Sequence, residues 1–284
     1  MPLNENARAA EPRQSGMVRQ FGSNVREFLA LLFRQPRPTP LRPARFPWGS
    51  LLIAAACTLA VVAVTVLLLD VPASMAVRHL PLRLIAAFDF LTDYGKSGWF
   101  LIPIGVFLLA LAAITRRTLA RRDRLVIVGV ALRLTFVFAA IALPGVFVTI
   151  LKRLIGRARP FVEPDGGAFV AVPLRWSADY ASIPSGHGTT AFAAAIAIGA
   201  VWPWARPFMW IYAILIALSR VVLTAHYPSD ILASAFFGVV GALLVRHTFA
   251  VRRLGFVVMP TGAVRRLPLP SVRRIGAVAR RLFA

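Results

Sequence analysis

From Trp48 to Leu69 the chain runs for 22 residues without a charged side chain, about 33 Å as a helix and enough to cross the apolar interior of a bilayer. Five more apolar runs follow, at roughly 98–115, 130–151, 187–204, 207–224 and 230–248. Backbone in lipid must satisfy its own N–H and C=O groups, so such runs cross as helices. The expected fold class is therefore all-α: a polytopic membrane protein with six transmembrane helices in a bundle. Composition agrees, since 58% of the 284 residues are hydrophobic and 15% charged, against about 45–50% and about 25% in soluble domains. A disordered chain and a disulfide scaffold are excluded. The single cysteine, Cys57, lies inside the first apolar run and reads as a buried bystander. That run starts too deep in the chain, and is too long, for a cleaved signal peptide.

The charged minority is lopsided, with 33 Lys+Arg against 11 Asp+Glu and a formal net charge of +22. The basic clusters lie between apolar runs and form no folded basic face, so nucleic acid is not an expected partner. They read instead as loops obeying the positive-inside rule and facing anionic headgroups. Residues 1–47 carry eight arginines against three glutamates, the 116–124 loop a net +4, Arg206 one charge and the 246–284 tail nine. These are alternate loops, which puts both termini in the cytoplasm. On the opposite side, 70–96 is neutral and 152–186 carries a net +2.

Three domains are expected. Residues 1–47 form a basic cytoplasmic tail whose Gln35–Pro47 stretch, with five prolines, is an irregular linker. Residues 48–248 form the membrane domain, and 249–284 a second basic cytoplasmic tail. Within the membrane domain, 70–96 suggests a short helix lying in the interface. The last tail repeats Arg265/Arg266, Arg273/Arg274 and Arg280/Arg281 with Leu267, Val272, Ile275 and Leu282 between them. It reads either as a surface resting on anionic lipid or as a disordered basic tail. The chain shows no internal repeat, glycine-rich nucleotide loop or Cys/His metal cluster, and no cofactor is expected.

Polar residues without a topological reason concentrate on the outer side. Lys152, Arg153, Arg157 and Arg159 place four cations in eight residues where the charge rule disfavours them. Such a cluster calls for a compensating anion, and phosphate suits it, since Arg binds it bidentately and Lys adds a point charge. Pro184-Ser185-Gly186-His187 opens the fourth run. Ser185 can cap the helix, Gly186 lets a ligand approach the backbone, and the free amides favour an anion; by itself this could be a cap and nothing more. An ionisable His187 in the first turn of a membrane helix is costly and points to function. The third cluster holds Ser219, Arg220, His226 and Asp230. Pro228 suits the first turn of the sixth helix, with His226 just outside it and Asp230 within it. Asp230 could hold one imidazole nitrogen and leave the other free as a nucleophile or base, or the pair could be a plain interfacial hydrogen bond. Two histidines, a carboxylate and a cationic cradle on one membrane side suit phosphoryl transfer through a phosphohistidine, with no metal needed.

Lys152-x6-Arg159-Pro160, Pro184-Ser185-Gly186-His187 and Ser219-Arg220-x5-His226-x3-Asp230 resemble the three signature motifs of the type-2 phosphatidic acid phosphatase superfamily, which also contains the vanadium haloperoxidases. The resemblance covers 152–230 by motif and about 48–248 by architecture. It implies that His226 is the nucleophile, Asp230 its orienting partner and His187 the acid for the leaving group. Lys152, Arg159, Ser185, the Gly186 amide and Arg220 would hold the phosphoryl oxygens, with Ser219 and Pro160 mainly structural. Arg153 and Arg157 are not motif positions; they stay open as headgroup or diphosphate contacts or as ordinary interfacial cations, and so do Asp93, Tyr94 and Lys96. The haloperoxidase branch is soluble, and six spans argue against it. The implied activity is that of an inner-membrane lipid phosphatase with a periplasmic site. Its substrate would be an undecaprenyl diphosphate, phosphatidylglycerol phosphate, phosphatidic acid or lipid A type of phosphate. A phosphotransferase using the same site, and a non-catalytic lipid transporter or scaffold, are the alternatives.

Overall fold

The computed structural model describes residues 11–35, 46–115, 119–163 and 167–283. The proline-rich stretch at 36–45 and Arg116 and Arg117 of the basic loop lie outside them. Ten α-helices are present among the described residues: α1 (Glu11–Leu32), α2 (Trp48–Leu68), α3 (Asp70–Val77), α4 (Leu82–Thr92), α5 (Gly98–Ile114), α6 (Arg121–Ile155), α7 (Gly186–Val201), α8 (Arg206–Val222), α9 (Pro228–Val251) and α10 (Val272–Phe283). Strands β1 (Phe256–Val258) and β2 (Val264–Arg266) pair antiparallel, so the chain is mostly rather than wholly helical.

Among the described residues, five segments are long and apolar enough to cross a membrane: Trp48–Leu68, Leu82–Ile114, Arg121–Ile155, Pro203–Val222 and Pro228–Val251. The sixth expected span is shorter than its apolar run suggested. Pro203 pushes Trp202 out of helical conformation, to φ −121 and ψ 87, so α7 ends at Val201. Its 16 residues span about 24 Å, less than the ~30 Å of a hydrocarbon core. The single interfacial helix expected over 70–96 is instead two helices, α3 and α4, and a 3-10 turn at Asp93–Gly95. The break falls at Pro81, which has no N–H to continue a helix and is extended at φ −60 and ψ 138.

Packing divides the chain into two compact units. One comprises 44–102 and 136–248. In it α7 is the most enclosed helix, with no exposed residue and mostly small side chains from Gly188 to Ala200, interrupted by Phe192, Ile196 and Ile198. Ala191, Phe192 and Ala195 pack on Ala213, Ile216 and Ala217 of α8. Small residues let membrane helices approach closely. A Cβ at Gly238 of α9 would lie 2.6 Å from the Thr189 carbonyl oxygen of α7, and one at Gly241 would lie 2.5 Å from Pro144 of α6. Helix α2 keeps an apolar, largely uncovered surface, and Cys57 is exposed on it rather than buried.

The other unit comprises 1–43, 103–135 and 249–284. Helix α1 donates from Gln20 and Asn24 to the Thr115 carbonyl at 2.6 and 2.8 Å. The buried Arg133 donates to the carbonyls of Gly129, Leu267 and Pro268 and so pins the chain leaving β2. Arg281 pairs with Asp123 at 2.8 Å, and Val278 of α10 is buried. The last tail is therefore a hairpin and an amphipathic helix, not a disordered segment.

Gly156 ends α6 with φ +65, and its position would put a Cβ 1.9 Å from the Val172 carbonyl oxygen. Only glycine fits there. Gly145, eleven positions earlier, has nothing within 4 Å of the same position. In thermal unfolding of the detergent-purified protein, Gly156→Ala is expected to lower the midpoint by several degrees, for a cost of at least ~2 kcal/mol. Gly145→Ala should leave it unchanged or raise it, by up to ~1 kcal/mol of helix propensity.

Candidate active site

Four segments of the 44–102 and 136–248 unit meet at one place: the end of α6 with the loop after it, the start of α7, the end of α8, and the start of α9. Ser185 caps α7, its Oγ accepting from the Gly188 amide at 3.3 Å, which leaves the Gly186 and His187 amides without an intrahelical partner. A Cβ at Gly186 would lie 3.6 Å from the Lys152 ammonium, so Lys152 sits beside that amide-rich end. Arg220, in the last turn of α8, donates to Thr92 Oγ1 at 2.7 Å. The chain then turns tightly, with the His226 amide donating to the Arg220 carbonyl at 3.1 Å, and Pro228 starts α9 as the sequence suggests.

His226 is 3% exposed, and its Nδ1 stands 3.6 Å from Asp230 Oδ2. This is an ion-pair approach rather than a made hydrogen bond, and Nδ1 has no other partner among the described residues. The groups facing His226 are Asp230 from α9, Arg220 from α8, Arg159 from the loop after α6, and His187 from α7. Burial holds the imidazole below the ordinary histidine range; the Asp230 carboxylate opposes this, and the Arg159 and Arg220 cations reinforce it. A neutral imidazole is the form that can attack phosphorus.

Asp230 is wholly buried and receives three donors. Arg157 donates to Oδ1 at 2.6 Å, while Ser182 Oγ and the Tyr227 amide donate to Oδ2, the latter at 2.9 Å. Arg157 is the centre of this cluster. Its second arm donates to Asp70 Oδ2 at 2.7 Å, its Nε to the Ala168 carbonyl at 3.0 Å, and Nη1 also to Ser229 Oγ at 2.7 Å. Its guanidinium lies 4.5 Å from the centroid of the buried Tyr227 ring. Asp70 in turn accepts from the Ser229 amide at 3.0 Å and from its hydroxyl.

Arg157, left open in the sequence as a headgroup contact or an interfacial cation, is neither: it is 5% exposed and committed to two carboxylates. Arg153 donates to the Ser177 carbonyl at 2.6 Å and lies near the Trp176 ring. Of the four cations from Lys152 to Arg159, Lys152 and Arg159 are thus left without a side-chain hydrogen bond or ion pair among the described residues. Arg220 keeps its Nε unpartnered as well. Asp93 and Lys96 pair with each other at 2.7 Å on the surface. Lys96 also lines a cleft of about 470 Å³ between α5 and α6 that ends at Gly186 and His187.

All eight sequence-predicted site residues are brought to this one place. Asp70, Ser182, Ser229 and Thr92 were not foreseen. The available signal was Asp70 itself, a carboxylate directly after a 22-residue uncharged run. Arg157→Met is expected to strand two buried carboxylates and to cost ~3–5 kcal/mol, whereas Arg153→Met should cost no more than ~1 kcal/mol. Thermal unfolding of both variants in one detergent checks the contrast; equal losses would contradict it.

The model of the PAP2 superfamily matches residues 133–254, a range that contains every motif position. A lipid A 1-phosphatase of Rhizobium etli is 32% identical over 224 residues, covering 78% of this chain and 95% of that protein. One of Rhizobium johnstonii is 32% identical over 243 residues, covering 84% and 96%. A decaprenylphosphoryl-5-phosphoribose phosphatase of Mycobacterium tuberculosis is 33% identical over 157 residues, covering 54% and 75%. A crystal structure of a transmembrane PAP2 type phosphatidylglycerolphosphate phosphatase from Bacillus subtilis is similar with a TM-score of 0.48 and 21% identity, over 70% of this chain and 93% of that one. With nearly the full length of two lipid phosphatases matched and the family model lying over the clustered motif residues, this chain belongs to the PAP2 superfamily, in its membrane lipid phosphatase branch.

Proposed function

We propose that this protein hydrolyses a lipid phosphate monoester or diphosphate at the periplasmic face of a bacterial inner membrane, without a metal, through a phosphohistidine. The observation that carries the reading is the set of half-buried cations Lys152, Arg159 and Arg220, the first two without a side-chain partner among the described residues and the third with its Nε unpartnered, gathered where the capped N-terminus of α7 and two histidines meet. Three cations and the amides of Gly186 and His187 suit the equatorial oxygens of a transferring phosphoryl group.

In this mechanism the lipid phosphate lies against Lys152, Arg159, Arg220, Ser185 and the Gly186 amide. Nε2 of His226, the nitrogen turned away from Asp230, attacks phosphorus while the ester P–O bond breaks. The leaving oxygen takes a proton from His187. Water then attacks the phosphohistidine, His187 takes its proton, the P–N bond breaks and inorganic phosphate leaves. Asp230 supports the positive character that His226 acquires.

The relatives named lipid A 1-phosphatases, matched over nearly their whole length, favour a lipid A type phosphate as substrate. The test is phosphate release by the detergent-purified protein, with EDTA present, from lipid A, undecaprenyl diphosphate, phosphatidylglycerol phosphate and phosphatidic acid. Release is expected from lipid A first. His226→Ala and His187→Ala should each lower turnover at least ~10²-fold; retained turnover in His226→Ala would remove the phosphohistidine.

The periplasmic placement is supported by the charge asymmetry of the loops and has its own check. Val170→Cys, made in a Cys57→Ser background, should react with a membrane-impermeant maleimide in cells whose outer membrane alone is opened. Labelling only after the inner membrane is permeabilised would reverse the orientation.

A further inference from the structure

Asp70 lies outside all three motifs, yet it is wholly buried and linked through a single side chain, Arg157, to Asp230, the carboxylate that faces the nucleophile candidate. Arg157 bridges Asp70 and Asp230 with separate arms. The Ser229 hydroxyl sits between them, donating to Asp70 and accepting from Arg157. Asp70 also takes the Ser229 amide, one of the free N–H groups in the first turn of α9. One carboxylate from α3 thereby fixes both the plane of the guanidinium and the start of the helix that carries Asp230.

The charge count gives this arrangement a second consequence. Arg157 and Asp230 alone would be a neutral pair, and a carboxylate with three strong donors offers little to an imidazole 3.6 Å away. With Asp70 ionised, the three groups carry one net negative charge, which His226 balances when it becomes positive.

We infer that Asp70 is a positioning residue of the phosphoryl-transfer site, holding Arg157 and the first turn of α9 so that Asp230 faces His226 and stays anionic toward it. This rests on the reading of His226 as nucleophile. Asp70 acts through Arg157 and Ser229 and touches no reacting atom. The other groups that face His226, namely Arg159, Arg220 and His187, are left unaltered by the variants below.

The test is the pH profile of kcat/KM for full-length protein in detergent, on whichever lipid phosphate of the four above wild type hydrolyses fastest. Asp70→Asn removes a negative charge near His226 while keeping the shape. Its acid limb is expected to move about one unit to lower pH, with kcat reduced at least ~10-fold and KM little changed. Asp70→Glu keeps the charge, so its limb should stay at the wild-type position even where kcat falls. The double variant Asp70→Asn with Arg157→Gln returns the cluster to one net negative charge, and its limb should return toward wild type. A purely structural role would lower the folded fraction without moving the limb. An unmoved limb in Asp70→Asn overturns the inference, and so does a moved limb in Asp70→Glu. Where Asp70→Asn does not fold, Ser229→Ala carries the test, and undiminished kcat in it overturns the positioning role. If wild type releases phosphate from none of the lipids, or His226→Ala stays active, the underlying reading fails first. A dead His226→Ala beside an unmoved Asp70→Asn limb removes this inference alone.

Discussion

A guanidinium shared by two buried carboxylates is the interaction on which the site depends. Arg157 joins Asp70, 87 positions before it, to Asp230, 73 positions after it. Exchanging Arg157 for an apolar residue would leave two buried carboxylates without their counter-charge, which costs several times what an exposed pair contributes. Helix α3, the loop after α6 and the start of α9 are therefore held in one arrangement, and His226, whose amide donates to the Arg220 carbonyl and whose ring faces Asp230, takes its place from that arrangement. The candidate site residues lie on loops and helix ends, and these are cross-braced by the buried ion pairs.

The same network divides the cations by purpose. A row of Lys and Arg at the end of α6 and in the loop after it looks uniform in sequence, yet burial and pairing separate it: Arg157 is neutralised twice over, Arg153 is tied to backbone and a ring, and Lys152 and Arg159 keep their charge unspent among the described residues. An anion entering this space meets cations that need no rearrangement to receive it. Preorganised charge of this kind is worth most where water is scarce and the local dielectric low.

What could be read from the sequence was whatever is written locally. Uncharged runs marked the membrane helices, and Ser185, Pro228 and the spacing from Arg220 to Asp230 marked helix ends, because capping and turn chemistry act over three or four residues. Missed features came from pairings across long separations. Nothing near Asp70 announces Arg157, and nothing near Arg157 distinguishes it from Arg153. The number of crossings is not clearly six for a local reason whose weight was underestimated: Pro203 ends α7 at Val201 although the apolar run continues to Trp204. The last tail offered two readings, and its order comes from Arg133 and Asp123, more than a hundred residues upstream.

That shortness of α7 bears on how the protein meets membranes of different thickness. A helix whose apolar length disagrees with the surrounding bilayer ordinarily tilts, or deforms the lipid around it. Helix α7 has no exposed residue, so lipid exerts no such pull on it, and its length is matched to its protein neighbours instead. Ser185, Gly186 and His187 begin this helix and inherit its insulation. Thickening or thinning of the bilayer will act first on the exposed apolar surfaces of α2 and α5, leaving the depth of the N-terminal end of α7 set by Gly188, Gly238 and the packing between helices.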